Sequence, residues 1–311
     1  MDKIIDLHMH SVNSDGTCTT QQLIDELSNK NADIISFTDH DSVGCYYDLK
    51  EGRAKLKPGM TLIPGVELSC RVDGSLRDML GYGVSIAYIS EYLETKYSKE
   101  CRIKKQQHIL EQLMDICKKH NLEFDDSIAV VEGKKAEGFV VMYNELIRYP
   151  ENIKKYPFIE NNTRFYWDYF SNKDSEFFVD ETYDLPSFDE AVDVIHKAGG
   201  KAFLAHPYAY GISTEDVDKL VATAINAGID GIELKHSSNK NNDIENINAI
   251  AQKFDLLLCG GTDFHGATKP GLELVTGYGN MMVKYDEIKP WFNDVTKVDG
   301  GVNENILKLW A

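Results

Sequence analysis

Short apolar runs that end in polar clusters recur along the chain: Ile4-Ile5 before Asp6, Ile34 to Phe37 before Thr38 and Asp39, Leu62-Ile63 before Pro64, Ala202 to Ala205 before His206, Ile229 to Leu234 before Lys235, and Leu256 to Cys259 before Gly260. Each predicts a buried parallel strand whose C-terminal end opens into a loop. Between them apolar positions fall at helical spacing over 20–29, with Leu23, Ile24 and Leu27, and again over 189–198, 216–227 and 246–254. Gly199 and Gly228 follow two of these helices as stops. Alternating strand and helix units predict an α/β sheet or barrel with its chemistry on the loops after the strands.

The pattern breaks over residues 90–180, which give a long amphipathic helix at 99–120, a charged segment containing glycine, and the aromatic run RFYWDYF at 164–170. This stretch predicts a mostly helical insertion that covers the active-site side of a barrel formed by residues 1–89 and 181–311. Its aromatic run reads as packing against the barrel or, alternatively, as a substrate wall.

Charge narrows the possible partners. The 311 residues hold 50 Asp+Glu against 33 Lys+Arg, a formal charge of −17, and the longest basic runs are the pairs at 104–105, 118–119, 134–135 and 154–155. Such a surface argues against nonspecific nucleic-acid binding, and it would repel a phosphorylated ligand unless bound cations supplied a positive field. A hydrophobic content of 42% is enough for a sizeable core and excludes a disordered chain. Six cysteines without a CxxC pair predict reduced thiols, a cytoplasmic setting and no thiolate zinc site. The opening MDKIIDLHMH is not a signal peptide and no run reaches a membrane span, so no membrane partner is expected.

Histidines then point to the chemistry. Six of the nine, His8, His10, His40, His206, His236 and His265, fall at predicted strand ends, beside Asp6, Asp15, Asp39, Asp41, Glu67 and Asp263. Imidazoles and hard carboxylates converging on one face suit zinc, manganese or iron. On an extended segment His8 and His10 point the same way, so one ion can take a nitrogen from each. Taken singly, Glu67 reads as a strand-end charge and His206 as a turn residue before proline. Together, SDG at 14–16, TDHD at 38–41, PGVEL at 64–68, AHP at 205–207 and GTDFHG at 261–266 read as one shared metal site.

In family order, over residues 1–85 and 185–285, these motifs resemble those of the PHP family, the polymerase and histidinol phosphatase group of metal-dependent phosphoesterases, in particular its small stand-alone members. The resemblance implies a distorted (β/α)7 barrel with two or three divalent ions, Mn, Fe or Zn, at the strand ends. His8, His10 and Asp263 would hold one ion, Glu67 would bridge it to a second that also takes His206, and Asp15, His40 and His265 would hold a third. A hydroxide shared between ions would be the nucleophile, with His236 or a water protonating the leaving oxygen. His236 reads equally as a further ligand or a substrate donor. Asp6 and Asp39 would orient histidine ligands or cap their loops.

The chain also departs from the family. Where many relatives have HxLGY it reads DMLGY, which makes Asp78 either a ligand favouring hard ions or a surface partner of Arg77. An arginine-containing GRPHxA-like segment that would grip phosphate is replaced by GFVVMYNEL from Gly138, leaving Arg71, Arg77, Lys235, Lys269 and Arg164 as candidate phosphate contacts. Asn239 stands where a second histidine would follow His236. The expected activity is hydrolysis of a small phosphate ester or diester, such as a nucleotide or sugar phosphate. An amide or lactone hydrolase with the same centre, or a noncatalytic metal-binding module, is the alternative.

Overall fold

The computed structural model describes residues 3–131, 137–279, 281–301 and 306–311. The basic pair expected at 134–135 lies outside them. Two compact units emerge, residues 1–93 with 185–311, and residues 94–184, the second set four residues later at each end than the expected insertion.

In the first unit β1 (Ile5–Asp6), β2 (Ile34–Ile35) and β3 (Thr61–Leu62) run parallel, and β9 (Val298–Asp299) joins β3 antiparallel. A second sheet has the order β4 (Gly65–Val72), β5 (Ser75–Tyr82), β6 (Lys201–Leu204), β7 (Gly231–His236) and β8 (Leu257–Gly261). The six strands read from apolar runs pair in parallel as expected, β1, β2 and β3 in one sheet and β6, β7 and β8 in the other, whereas β4 and β5, which that pattern did not name, form an antiparallel hairpin whose β5 also pairs antiparallel with β6. The cause is the Asp73-Gly74 turn, with φ of 50° and 68° at its two central residues, the doubly left-handed conformation that suits a two-residue hairpin. Isolated parallel bridges at Met9 with Phe264 and at His40 with Glu67 link the ends of the two sheets.

Helices follow the strands as the spacing predicts. Thr19 caps Thr20–Asn29 in a reciprocal box with Gln22, and Leu23, Ile24 and Leu27 are buried. Ser187 and Ser213 cap Phe188–Lys197 and Thr214–Asn226 in the same manner, each accepting from the amide three residues on. The core gathers Ile5, Leu7, Ile34, Ile63, Leu80, Tyr82, Phe203 and Cys259 with Trp291, so residues of both sheets share it. Each large side chain buried this way contributes about 1.5–3 kcal/mol.

The unit of residues 94–184 is helical and has its own core. One face of the helix Lys99–Lys119, carrying Ile109, Leu110, Leu113 and Cys117, meets Phe139, Met142, Phe165, Phe170 and Phe177. The aromatic run therefore fills this unit's own interior: Phe165 and Phe170 are fully buried, while Trp167 is 65% exposed. Among the described residues no helix is long and apolar enough to cross a membrane.

Candidate metal centre

After β1 the chain stays extended, so Leu7 and Met9 enter the core while His8 and His10 face the opposite way, all four fully buried. The loop after β8 comes close beside them. Asp263 N donates to His8 O at 2.7 Å and His10 N to Phe264 O at 2.8 Å. A Cβ on Gly261 would lie 2.1 Å from His8 N, so only glycine allows this approach. Asp263 and His206 hold φ of 56° and 23°, sparsely populated values for residues with side chains that cost about 1–3 kcal/mol each and are paid for by the surrounding structure.

Glu67, on β4, is the focus. Its Oε2 lies 3.1 Å from both His8 Nε2 and His10 Nε2 and 3.5 Å from His40 Nδ1, and its Oε1 lies 2.9 Å from His206 Nε2. Asp263 Oδ1 is 3.1 Å from His10 Nε2 and 3.5 Å from His8 Nε2, while Oδ2 is 3.1 Å from His236 Nε2. Asp15 joins at the outer edge, 3.3 Å from His265 and 3.6 Å from His10. Three groups of potential ligand atoms result, each confined within 4.8 Å: His8, His10, Glu67 and Asp263; His10, Asp15, His40 and His265; and His40, Glu67 and Asp78.

Asp78 is buried on β5, where Ser69 of β4 is its direct partner, so it shares the face of Glu67. It is no surface partner of Arg77. Tyr210 donates to its Oδ2 at 3.1 Å, and Oδ1 stands 4.0 Å from His40 Nδ1. Asp6 and Asp39 take the second of their two expected roles, because neither touches an imidazole ring. Asp6 accepts from the amides of Thr262 and Val275 and from the Thr262 hydroxyl, and Asp39 accepts from Ser11 and Ser14. Both tie loops together.

The ring partner that the sequence reading missed is Glu233. Fully buried, it accepts from His8 Nδ1 at 2.9 Å and from the backbone N of His206 at 2.8 Å, linking two candidate ligands on different strands. A register shift between Glu233 and Lys235 explains why it was missed. Regular alternation puts Glu233 and Lys235 on one face, but the bulge turns Glu233 and His236 toward the centre and sends Lys235 to Glu287, 4.0 Å away. Of the other cations, Arg71 is exposed, Arg77 stacks on the Tyr210 ring at 4.4 Å, and Arg164 lies in the other unit, 3.6 Å from Asp168. Lys269 alone among the candidates forms an ion pair with a centre residue, Asp263.

Electrostatics identify what the site can hold. Burial opposes protonation of His10 and His206, yet the adjacent carboxylates, Asp263 and Glu67 for His10 and chiefly Glu67 for His206, outweigh it and raise both pKa values to about 9. Burial alone would raise Glu67 and Asp263, but the imidazoles hold both well below the usual carboxylate range. Both ring nitrogens of His10, His40 Nδ1, His206 Nδ1 and Asp78 Oδ1 are buried without a hydrogen bond. Buried nitrogen and carboxylate atoms left without hydrogen bonds, gathered with their neighbours into three groups each within 4.8 Å, form a donor set that fits divalent cations.

A cation needs the bare imidazole nitrogen, so at pH 7 it displaces protons that His10 and His206 otherwise hold. Metal uptake should release at least one proton per chain. Apparent affinity should rise with pH toward about 9 and flatten beyond, because these histidines are protonated below that value. Calorimetry in two buffers of different ionisation enthalpy counts the protons, and a count of zero would contradict this electrostatic picture.

Residues 6–156 match the family model described as PHP domain. A Haemophilus influenzae protein named 5'-3' exoribonuclease is 28% identical over 267 residues, covering 85% of this chain and 91% of the relative. A 3',5'-nucleoside bisphosphate phosphatase from Chromobacterium violaceum is 24% identical over 281 residues, covering 87% and 90%. Among solved structures, a Bifidobacterium adolescentis protein assigned as a metal-dependent phosphoesterase superposes with a TM-score of 0.58 at 22% identity, covering 94% and 96% of the two chains. The matched segment ends before His206, Glu233, His236, Asp263 and His265, which join His8, His10 and Glu67 only through the fold.

Proposed function

We propose that this chain, whose residues 6–156 match the PHP domain, is a divalent-metal-dependent hydrolase of phosphate esters or diesters, acting on a nucleotide or sugar phosphate. The observation that carries the reading is Glu67, a fully buried carboxylate that belongs to two of the three overlapping groups and has two oxygens with which to bridge ions. His8, His10, Asp263 and Glu67 would hold one ion, Glu67 and Asp78 a second with His40 or with His206, which stands 2.9 Å from the other Glu67 oxygen, and Asp15, His40 and His265 a third. This mixture of nitrogen and oxygen donors suits manganese, iron or zinc. Bound there, such ions would polarise phosphoryl oxygens and lower the pKa of an attacking water.

The chain's own residues supply the rest. Glu67 keeps four imidazoles around one carboxylate, and Glu233 fixes His8 by its far nitrogen. Burial lowers the pKa of His236, so its ring is neutral at pH 7. Anchored by Ser238 at 2.8 Å, it is the candidate to take a proton and pass it to the leaving oxygen. We read the two sheets, bridged at Met9 and His40, as a distorted barrel that carries the centre at its strand ends. Among the described residues, 94–184 contribute no member of these groups, and we assign this unit to substrate choice.

The name of the Haemophilus influenzae relative favours a second reading, in which the phosphodiester lies at the end of an RNA, and it weighs against the expectation drawn from net charge. One experiment tests both. The protein is reconstituted with Mn²⁺, Fe²⁺ or Zn²⁺, its metal is measured, and hydrolysis is screened over nucleoside bisphosphates, cyclic phosphates, 5'-phosphorylated RNA and amides. At least two ions per chain and phosphoester cleavage that a chelator abolishes are expected, with Asp78→Ala losing about one ion. Fewer than one ion per chain, or cleavage of amides alone, would overturn the reading.

A further inference from the structure

A chain with a formal charge of −17 that binds a phosphate needs fixed positive charge near its catalytic groups. Bound ions supply part of it, and in the free protein one lysine stands at the same place. Among the described ion pairs, that of Lys269 with Asp263 is the one that brings a lysine or arginine to the centre. Lys269 Nζ meets Asp263 Oδ2, the oxygen that His236 Nε2 also approaches at 3.1 Å, and it donates to the Asp263 carbonyl at 3.2 Å. The side chain is 35% exposed, against 8% for Asp263, so the lysine stands at the outer edge of the centre.

Its position is built in. The loop leaves His265, a candidate ligand, through the tight turn Gly266–Thr268, and the Thr17 hydroxyl accepts from Ala267 N at 2.8 Å while donating to His265 O at 3.3 Å. Gly266 holds φ of 70°, and a Cβ there would sit 2.1 Å from the Thr17 hydroxyl, so only glycine lets the turn pack against Thr17 in this way. Lys269 N closes the turn by donating to Gly266 O at 3.3 Å. The lysine is thus fixed at its base, and its ammonium can keep one proton on Asp263 while offering the others outward.

We propose that Lys269 is the group of this site that grips the substrate's phosphate, binding a non-bridging oxygen beside His236. The proposal rests on the phosphoester reading and adds the residue that replaces the missing arginine segment. Lysine suits the task as a compact point charge able to hold an anion without the planar fork that arginine brings. The competing role is a counter-charge that merely neutralises Asp263.

The two roles separate in the Mn²⁺-loaded full-length protein, comparing wild type with Lys269→Met and Lys269→Arg. Metal content is measured by elemental analysis, inorganic phosphate affinity by calorimetry, and KM and kcat on a cleaved phosphoester. A phosphate-gripping lysine predicts unchanged metal content in Lys269→Met, phosphate affinity weaker by roughly 10- to 100-fold, a rise in KM larger than the fall in kcat, and substantial recovery in Lys269→Arg. Wild-type phosphate affinity in Lys269→Met overturns the proposal. So does a loss of metal with unchanged phosphate affinity per remaining ion, which assigns the counter-charge role instead. A metal-loaded wild type that neither binds phosphate nor cleaves any phosphoester would fail the functional reading itself, an outcome visible before any variant is made.

Discussion

Replacing Glu67 by Gln should abolish most of the activity while leaving the fold intact. The substitution keeps the shape of a fully buried side chain but removes the charge shared by His8, His10, His40 and His206. Exchanging an outer partner of a metal ligand typically costs 10- to 100-fold, so loss of a carboxylate common to two ligand groups should lower kcat by more than roughly 100-fold. Elemental analysis of the variant should show the loss of at least one ion. The imidazoles also lose the anion that raises their pKa, so metal uptake by Glu67→Gln should release fewer protons than wild type. A near-normal rate would mean that Glu67 does not bridge the groups.

Glu233 should give the second large effect, and through a different step. Its carboxylate touches His8 Nδ1 and the amide of His206, so Glu233→Ala frees a ring and a backbone turn at once and leaves that buried amide unpaired. Affinity for Mn²⁺ should fall roughly 10- to 100-fold, with activity partly restored at high metal concentration. Glu233→Gln keeps an acceptor oxygen and should lie between Ala and wild type. Rescue by metal distinguishes this residue from Glu67, whose loss excess Mn²⁺ should not repair. If Glu233→Ala bound Mn²⁺ with wild-type affinity, the carboxylate would be only a tie between strands.

Much of the centre could be read from the chain because strand ends carry their chemistry in short motifs. His8 and His10 announce themselves by alternation, and Glu67, His206 and Asp263 each follow an apolar run. What failed was geometry that alternation does not encode. The Asp73-Gly74 pair between two alternating stretches was a legible hairpin signal, and it would have placed Asp78 on the face of Glu67. Glu233 carries no such mark, because one extra residue in β7 re-aims its neighbours and the sequence does not advertise a bulge. Asp6 and Asp39 left two roles open for a different reason. A buried aspartate beside a histidine satisfies loop amides as readily as a ring, and only the fold decides which.

The spread of the centre along the chain has a consequence for how the protein is made. His8, His10, Glu67 and Asp78 leave the ribosome first, whereas Asp263 and His265 follow after nearly two hundred more residues, on the order of ten to forty seconds later. Residues 94–184 carry their own core and β1 has its partner β2 within the first forty residues, but the segment after β1 meets the loop after β8 only when β8 has been synthesised. Until then the early histidines can bind stray cations in incomplete sets. The long-range closure that joins the segment after β1 to the loop after β8 would thus also complete the proposed ligand set, so correct metallation is expected at the last stage of folding.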